Sequence, residues 1–342
     1  MDLLVIFIIV VKVLLVFAGT MLTVMGLTLA ERRVSAFIQY RLGPNRVGPK
    51  GLLQPIADGI KFLMKEDIIP DGVDKPIFIL APAMMLIPAL MTFAVIPFGA
   101  SITLFGHLVP LQVADVNVGI LYILALTSIS VYGTVLAGWS SNSKYPLLGG
   151  LRSSAQLISY ELAMGLAVIS IIMMVGSLRL NDIVSMQQET LFGWNVFKQP
   201  LAFLIFLIAS YAETNRLPFD LSEAEQELVG GYHTEYSSMK FAMFFMAEYA
   251  NMITASALIV TLFFGGWDVP GLNETTLGGL GVFLSVLAFI LKTAFFLFLF
   301  ILVRWTFPRF RYDQLMYLGW KVLLPLALVN IFITGGIMTL LA

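Results

Sequence analysis

The amino-acid sequence predicts an all-α polytopic membrane protein, with eight transmembrane helices plus a short interfacial amphipathic helix in the first cytoplasmic loop. Three observations carry this. Over 342 residues the mean hydropathy is +0.91, with 59% hydrophobic and only 12% charged residues, far from the composition of a soluble domain. Eight apolar segments reach the roughly 20 residues that cross about 30 Å of hydrocarbon at 1.5 Å per residue. The basic residues fall almost entirely in the connections on one side.

The segments run at approximately 3–30, 77–98, 116–139, 155–178, 197–217, 240–264, 277–303 and 317–341, and together make a single membrane domain over 1–342. The first is expected to be a retained helix, because no lysine-rich start and small-residue cleavage site frame it. The first and seventh exceed the minimum length, which allows tilt or protrusion. The fifth depends on flanking residues, since its purely apolar part, Leu201 to Ala212, is short. Two connections, Phe98–Asp115 and Gly265–Thr276, are rich in glycine and proline and read as simple connectors.

Sixteen arginines and lysines lie in or beside the connections after segments one, three, five and seven, against two, Arg179 and Lys198, on the opposite side. By the positive-inside rule the basic side is cytoplasmic and both termini face outward. The expected location is a bacterial inner membrane, or the mitochondrial inner membrane for an organellar protein. With no cysteine and only His107 and His233, the chain cannot hold an iron–sulfur cluster through thiolates and has little for a bis-histidine haem. No metal site is expected. A net charge of −1 with dispersed basic residues excludes a nucleic-acid footprint.

The first basic connection reads LAERRVSAFIQYRLGPNRVGPKGLLQPIADGIKFLMKED from Leu29. Its Gly43-Pro44 and Gly48-Pro49 pairs fix turns around Arg46. From Leu52 the period becomes helical over 52–65: Leu52, Ile56, Ile60, Leu63 and Met64 share a face, with Asp58, Lys61 and Lys65 opposite. Pro55 is tolerated only in the first turn. This helix is too short and too charged to span, so it is expected in the interface plane or against the bundle. It is either a surface element closing a loop or one wall of an entrance for an amphiphile from the lipid.

Glu161, Glu213, Glu248, Lys12 and Lys292 sit inside or at the margins of the apolar runs. A charge near mid-bilayer costs at least about 2.5 kcal/mol on insertion scales, so such residues face protein or a water-filled path. The second large connection, ETNRLPFDLSEAEQELVGGYHTEYSS from Glu213, adds Asp220, Glu223, Glu225, Glu227 and Glu235. Glu223, Glu225 and Glu227 read equally as a solvated acidic loop. Arg216, three residues after Glu213, is close enough for a helical ion pair. Glu248 lies eight residues beyond Lys240, roughly 12 Å deeper. Clustered carboxylates at such depth titrate as a coupled set, within reach of protonation near neutral pH. Each could instead hydrogen-bond a neighbouring helix, and Lys12 or Lys292 could partner one. A carrier, a channel and a coupling subunit all remain open on these residues alone.

Three stretches, AERRVSAFIQYRLGPNRVGPKG with LQPIADGIKFLMKED, ETNRLPFDLSEAEQELVGGYHTEYSSMKFAMFFMAEYANM, and RWTFPRFRYDQLMYLGWKVLLPLAL, closely resemble the quinone-site membrane subunit of proton-pumping NADH:quinone oxidoreductase, respiratory complex I. The resemblance implies a subunit without a tightly bound cofactor, with quinone as substrate and with iron–sulfur clusters and FMN on partner subunits. It implies docking under the hydrophilic-arm subunits that carry the terminal cluster and the quinone headgroup site. Small membrane subunits, antiporter-like membrane subunits and lipids are the other expected partners. Carried to this chain, Arg33, Phe37, Arg41, Arg46, Asp58 and Lys61 line or order the quinone chamber and docking surface. Glu213, Glu223, Glu225 and Glu227 form an acidic funnel beyond it, and Glu161 and Glu248 continue it as proton-accessible carboxylates. The competing readings are a stand-alone proton or cation transporter and a structural anchor for a peripheral redox arm.

Overall fold

The computed structural model describes all residues except 1–2, 105–106, 189–190, 222–224, 272–277 and 342, and leaves out the side chains of 3–5, 103–104, 107, 191, 225–226 and 341 as well. The helices are α1 (Leu3–Ile38), α2 (Gln54–Met64), α3 (Lys75–Met91), α4 (Gly119–Ser140), α5 (Lys144–Val175), α6 (Leu180–Ser185) and α7 (Asn195–Lys198). They continue with α8 (Pro200–Glu213), α9 (Glu225–Leu228), α10 (Ser238–Phe263), α11 (Gly279–Thr306), α12 (Tyr312–Tyr317) and α13 (Leu324–Leu341). Among the described residues seven helices are long and apolar enough to cross a bilayer, the last formed by α12 and α13 together, so the chain is an all-α polytopic membrane protein. The segment Phe98–Asp115 is more than a connector: it folds into an antiparallel hairpin, β1 (Ile102–Leu104) with β2 (His107–Val109), in register Thr103 to Leu108.

Several helix bounds depart from the sequence expectation, among them α5, which starts at Lys144 and not at 155, and α3, which ends at Met91 and not at 98; two departures have a plain physical reason. Helix α1 runs eight residues past position 30 to Ile38, because Ala30, Glu31, Arg32, Arg33 and Ala36 are good helix formers that continue a turn after its apolar stretch ends. Arg33 and Phe37 are therefore helical residues and not loop residues. The expected segment 197–217 is split: its first residues end α7 at Lys198, and the rest is helical over Pro200–Glu213 as α8, with Asn215 in the left-handed region (φ 49°). That break ends the helix before Arg216 and removes the predicted helical pair between Glu213 and Arg216.

Helix α10 is the centre of the bundle, with 78% of its apolar stretch buried, while α1 has only 6% of its own buried and lies at the periphery. Without a hydrophobic drive between helices in lipid, close packing uses small residues. Gly133 of α4 sits against Met85 and the Ala81 carbonyl of α3, and Gly138 of α4 sits against α5. A Cβ at Gly138 would lie 2.5 Å from the Pro146 carbonyl oxygen. Gly138→Ala is therefore expected to cost about 1–3 kcal/mol by overpacking. Gly165→Ala on α5 meets nothing within 4 Å and should be neutral or stabilising by about 0.5–1 kcal/mol. Thermal unfolding in detergent separates the two; a Gly138→Ala midpoint equal to that of the parent refutes the packing argument.

Helix α2 is held by its C-terminal end. Ser238 Oγ, at the start of α10, is 2.9 Å from the carbonyls of both Phe62 and Lys65 and donates to them, and Lys240 pairs with Asp67 at 2.8 Å. The Ile68 amide donates to Ser237 Oγ at 2.9 Å. Pro55 falls in the first turn as its geometry requires. None of the α2 side chains is buried, and Leu52, Ile56, Ile60, Leu63 and Met64 form an exposed apolar stripe running into the helix from its N-terminal side.

The last crossing is not a uniform helix. Between α12 and α13 the stretch Leu318–Leu323 is π-helical, where Gly319 comes against the ring of Tyr160. Tyr160 donates to the Leu315 carbonyl (2.9 Å) and Trp320 Nε1 donates to Ser159 Oγ (2.9 Å). Further along, Gln199 at the head of α8 donates to Thr334 Oγ1 (2.9 Å) and accepts from Asn330 Nδ2 (3.0 Å).

Candidate functional site

At the basic end of the bundle, three elements converge on Glu31 of α1. Its carboxylate accepts from Tyr249 Oη of α10 at 2.7 Å, lies 3.5 Å from Arg216 Nη1, and pairs with Arg304 of α11. The Arg216 guanidinium stacks 4.4 Å over the Tyr249 ring. Glu31 is 7% exposed and Arg216 5%. Sequence reasoning missed Glu31, because in AERR it reads as the polar boundary of the first apolar run. The available signal was its phase: it lies seven residues after Val24 and four after Leu27, on the buried side of α1.

Deeper in the bundle the predicted carboxylates lie on adjoining elements. Glu213 closes α8, lies close to Thr127 of α4, and is within electrostatic reach of Glu161 on α5. Glu161 accepts from Ser128, one residue after Thr127 on α4. Glu213 also lines a narrow cleft with Thr127, Thr214, Asn251 and Thr254. There the buried amide oxygen of Asn251 has no partner among the described residues, and Thr254 meets Thr92 hydroxyl to hydroxyl at 2.9 Å. Glu248, 4% exposed, accepts from Tyr232 Oη at 3.1 Å. On α10, Glu248, Asn251 and Ala255 share one face by helical spacing. The arrangement is a polar seam shared by α4, α5, α8 and α10, with hydroxyl and amide groups between carboxylates.

The remaining sequence candidates divide. Asp58 pairs with Arg32 at 2.5 Å and accepts from Gln54 at 3.2 Å, which fastens α2 to the end of α1. Arg33 donates to the Lys50 carbonyl at 2.5 Å and Arg41 to Gln39 Oε1 at 2.7 Å. Arg46 and Lys61 are exposed, and Phe37 near the end of α1 is 83% exposed. Glu227 is exposed and pairs with Arg152 at 2.6 Å, away from the seam. Glu223 lies outside the described residues, as does the side chain of Glu225, whose backbone starts α9.

Both intramembrane lysines serve backbone. Lys292 donates to the carbonyls of Phe264, Gly266 and Asp268 at 2.8, 3.1 and 2.7 Å, and its ammonium lies 4.8 Å over the Trp194 ring. It thus satisfies the carbonyl-rich C-terminal end of α10, at the end of the bundle opposite Glu31. Lys12 donates to the Gln112 carbonyl at 3.1 Å, and among the described residues no carboxylate pairs with it. His233 packs edge-on against Tyr232 and Phe241. Among the described residues no group of three or more His, Asp or Glu is placed to hold a metal.

These features define a class: a polytopic membrane protein with carboxylates buried in its core and a short amphipathic helix, α2, anchored to the most buried helix of the bundle. The family model described as NADH dehydrogenase matches residues 11–335. An NADH-quinone oxidoreductase subunit of Geobacter metallireducens is 57% identical over 329 residues, 96% of each chain. NADH-quinone oxidoreductase subunit 8 of Rhodothermus marinus is 57% identical over 331 residues, covering 93% of this chain and 94% of its own. An NADH-quinone oxidoreductase subunit of Cytophaga hutchinsonii is 52% identical over 326 residues, 94% of each. The chain belongs to this family of NADH dehydrogenase membrane subunits.

Proposed function

We propose that this chain is the membrane subunit of an NADH-quinone oxidoreductase that helps form the quinone chamber and couples quinone reduction to proton translocation. The observation that carries the reading is the continuity of α10. It holds α2 through Ser238, supplies Tyr249 to Glu31, and bears Glu248 and Asn251 in the seam. In this reading α8 is the eighth crossing, completed by its flanking residues, and α2 lies at the headgroup level with its apolar stripe toward lipid. The basic end is cytoplasmic, both termini are outside, and the membrane is the bacterial inner membrane.

Arg33, Phe37, Arg41, Arg46, Asp58 and Lys61 order the chamber and the docking surface for the hydrophilic-arm subunits, which carry FMN, the iron–sulfur clusters and the quinone headgroup site. Small and antiporter-like membrane subunits flank the bundle. Reduction of a quinone to a quinol takes up two electrons from the arm and two protons. Negative charge developing at the headgroup acts through a poorly screened interior on the Glu31 junction and then on Glu213, Glu161 and Glu248. Glu223, Glu225 and Glu227 gather protons on the cytoplasmic side. In this reading Glu213 and Glu161 respond together, which their proximity supports, and Glu248 follows through α10.

Deletion of this chain tests the reading. NADH:quinone reduction in membranes should fall to background and return on complementation, while the NADH oxidation of the released peripheral arm with a soluble artificial acceptor persists. The purified chain alone in proteoliposomes should carry no proton or cation flux. Full activity of the isolated chain would establish the stand-alone transporter instead.

A further inference from the structure

Between α1, α10 and α11, at the end away from the basic loops, lies a cavity of about 450 Å³, within the roughly 300–1,000 Å³ of ligand pockets. Val16, Phe93, Phe289, Leu297 and Ala257 make its walls apolar. It follows α1 from Lys12 to Thr23, a length of roughly 16 Å, close to one leaflet of a hydrocarbon core about 30 Å thick. Leu15, 66% exposed, and Ile290, 54% exposed, stand at its rim, so the cavity opens sideways between α1 and α11. The cavity is chain-shaped, and it opens where lipid is the solvent.

Its far end carries a cation. Lys12 spends one N–H on the Gln112 carbonyl, and an ammonium has three donors. Gln112 belongs to the irregular segment after β2, where Asn181 donates to its side chain at 2.7 Å and Arg179 pairs with Asp115 close by. Lys12 lies nineteen residues along α1 from Glu31 at the basic end, roughly 28 Å at 1.5 Å per residue and so close to the full thickness of about 30 Å of hydrocarbon. The ammonium therefore stands near headgroup depth over an apolar slot.

We propose that this groove binds an anionic phospholipid of that leaflet, with its phosphate on Lys12 and one acyl chain running between α1 and α11 toward Thr23. Lipid tails gain no hydrophobic energy by leaving lipid, so selectivity comes from the charged headgroup and the fit of the chain. The proposal stands apart from the quinone reading and survives or fails without it. The competing occupant is a quinone, which would bring a polar head to the buried hydroxyl of Thr293, unpartnered among the described residues. The cationic rim and the otherwise apolar walls favour the phospholipid.

The test uses the intact enzyme in phosphatidylcholine nanodiscs doped with phosphatidylglycerol or phosphatidylcholine carrying a photoreactive diazirine on one acyl chain. Cross-linked peptides are mapped by mass spectrometry. The phosphatidylglycerol probe should label α1 and α11 about fivefold more than the phosphatidylcholine probe, the discrimination expected of one lysine near an anionic surface. Lys12→Gln should erase the preference and Lys12→Arg should keep it. Gly19 lines the cavity and a Cβ there meets nothing within 4 Å, so Gly19→Leu should fill the slot and lower labelling by both probes. Equal labelling by the two probes, a preference that survives Lys12→Gln, undiminished labelling in Gly19→Leu, or displacement of the probe by a short-chain quinone would each overturn the proposal.

Discussion

Glu31→Gln is expected to strip most of this chain from the assembled enzyme. Glu31 is shared by Arg216 and Arg304 and receives the Tyr249 hydroxyl. An amide keeps the size and loses the charge that both guanidinium groups face. Removing one partner of a buried ion pair costs about 3–5 kcal/mol, because the charge left behind is still desolvated. Against a marginal total of about 5–15 kcal/mol for a folded domain, that is enough to deplete the native state. Glu31→Asp retains the charge and should lose less. Pairing Glu31→Gln with Arg216→Gln removes one stranded cation and should recover part of the loss, as coupled sites do. Immunoblot abundance in membranes and the thermal midpoint in detergent read the effect. Parental values for Glu31→Gln would mean that the junction carries no net energy.

Glu213→Gln and Glu248→Gln should behave in the opposite way, assembling at parental levels while losing function. Each substitution keeps the size of the side chain, and at position 248 the amide oxygen can still accept from Tyr232, so packing is preserved. What disappears is a group able to take up and release a proton. Positioned proton-transfer groups contribute about 10²–10⁴-fold to rates. A loss of at least about tenfold in NADH-driven acidification of inverted vesicles is expected, or about 1.4 kcal/mol. Quinone reduction should fall with it, because electron and proton transfer are coupled. Asp313→Asn, which breaks an exposed pair with Arg311 (68% and 79% side-chain exposure), is the control and should change little. Full quinone reduction with full pumping in both glutamine variants would end the coupling role proposed for the seam.

Apolar segments and one-sided basic loops made the bundle legible, since membrane insertion writes length and charge bias directly into the chain. The placement of Glu161, Glu213 and Glu248 inside it was legible for the same reason. Partners were not. Arg216 is three residues from Glu213 in sequence, yet it belongs to Glu31, 185 residues away, because the chain turns at Asn215. Lys12 and Lys292 also donate to backbone carbonyls that the sequence did not mark, because helix ends and irregular loops offer acceptors and a buried ammonium has three donors to place. The polar residues that accompany the carboxylates in and beside the cleft, Thr127, Ser128, Asn251 and Thr254, carry no charge, so nothing in a hydropathy profile separates them from ordinary polar groups in apolar helices.

The π-helical stretch at Leu318–Leu323 fixes the rotational phase of everything after it. A π-bulge amounts to one residue inserted into an α-helix, and one residue is about 100° of turn. The first half of this crossing is tied to α5 through Tyr160, Ser159 and Trp320, and the second half to α8 through Asn330, Thr334 and Gln199. A regular helix could not point both sets of groups at their partners at once. The last crossing therefore works as an indexed key: its two halves are cut for different neighbours, and the single extra residue is what lets one helix fit both.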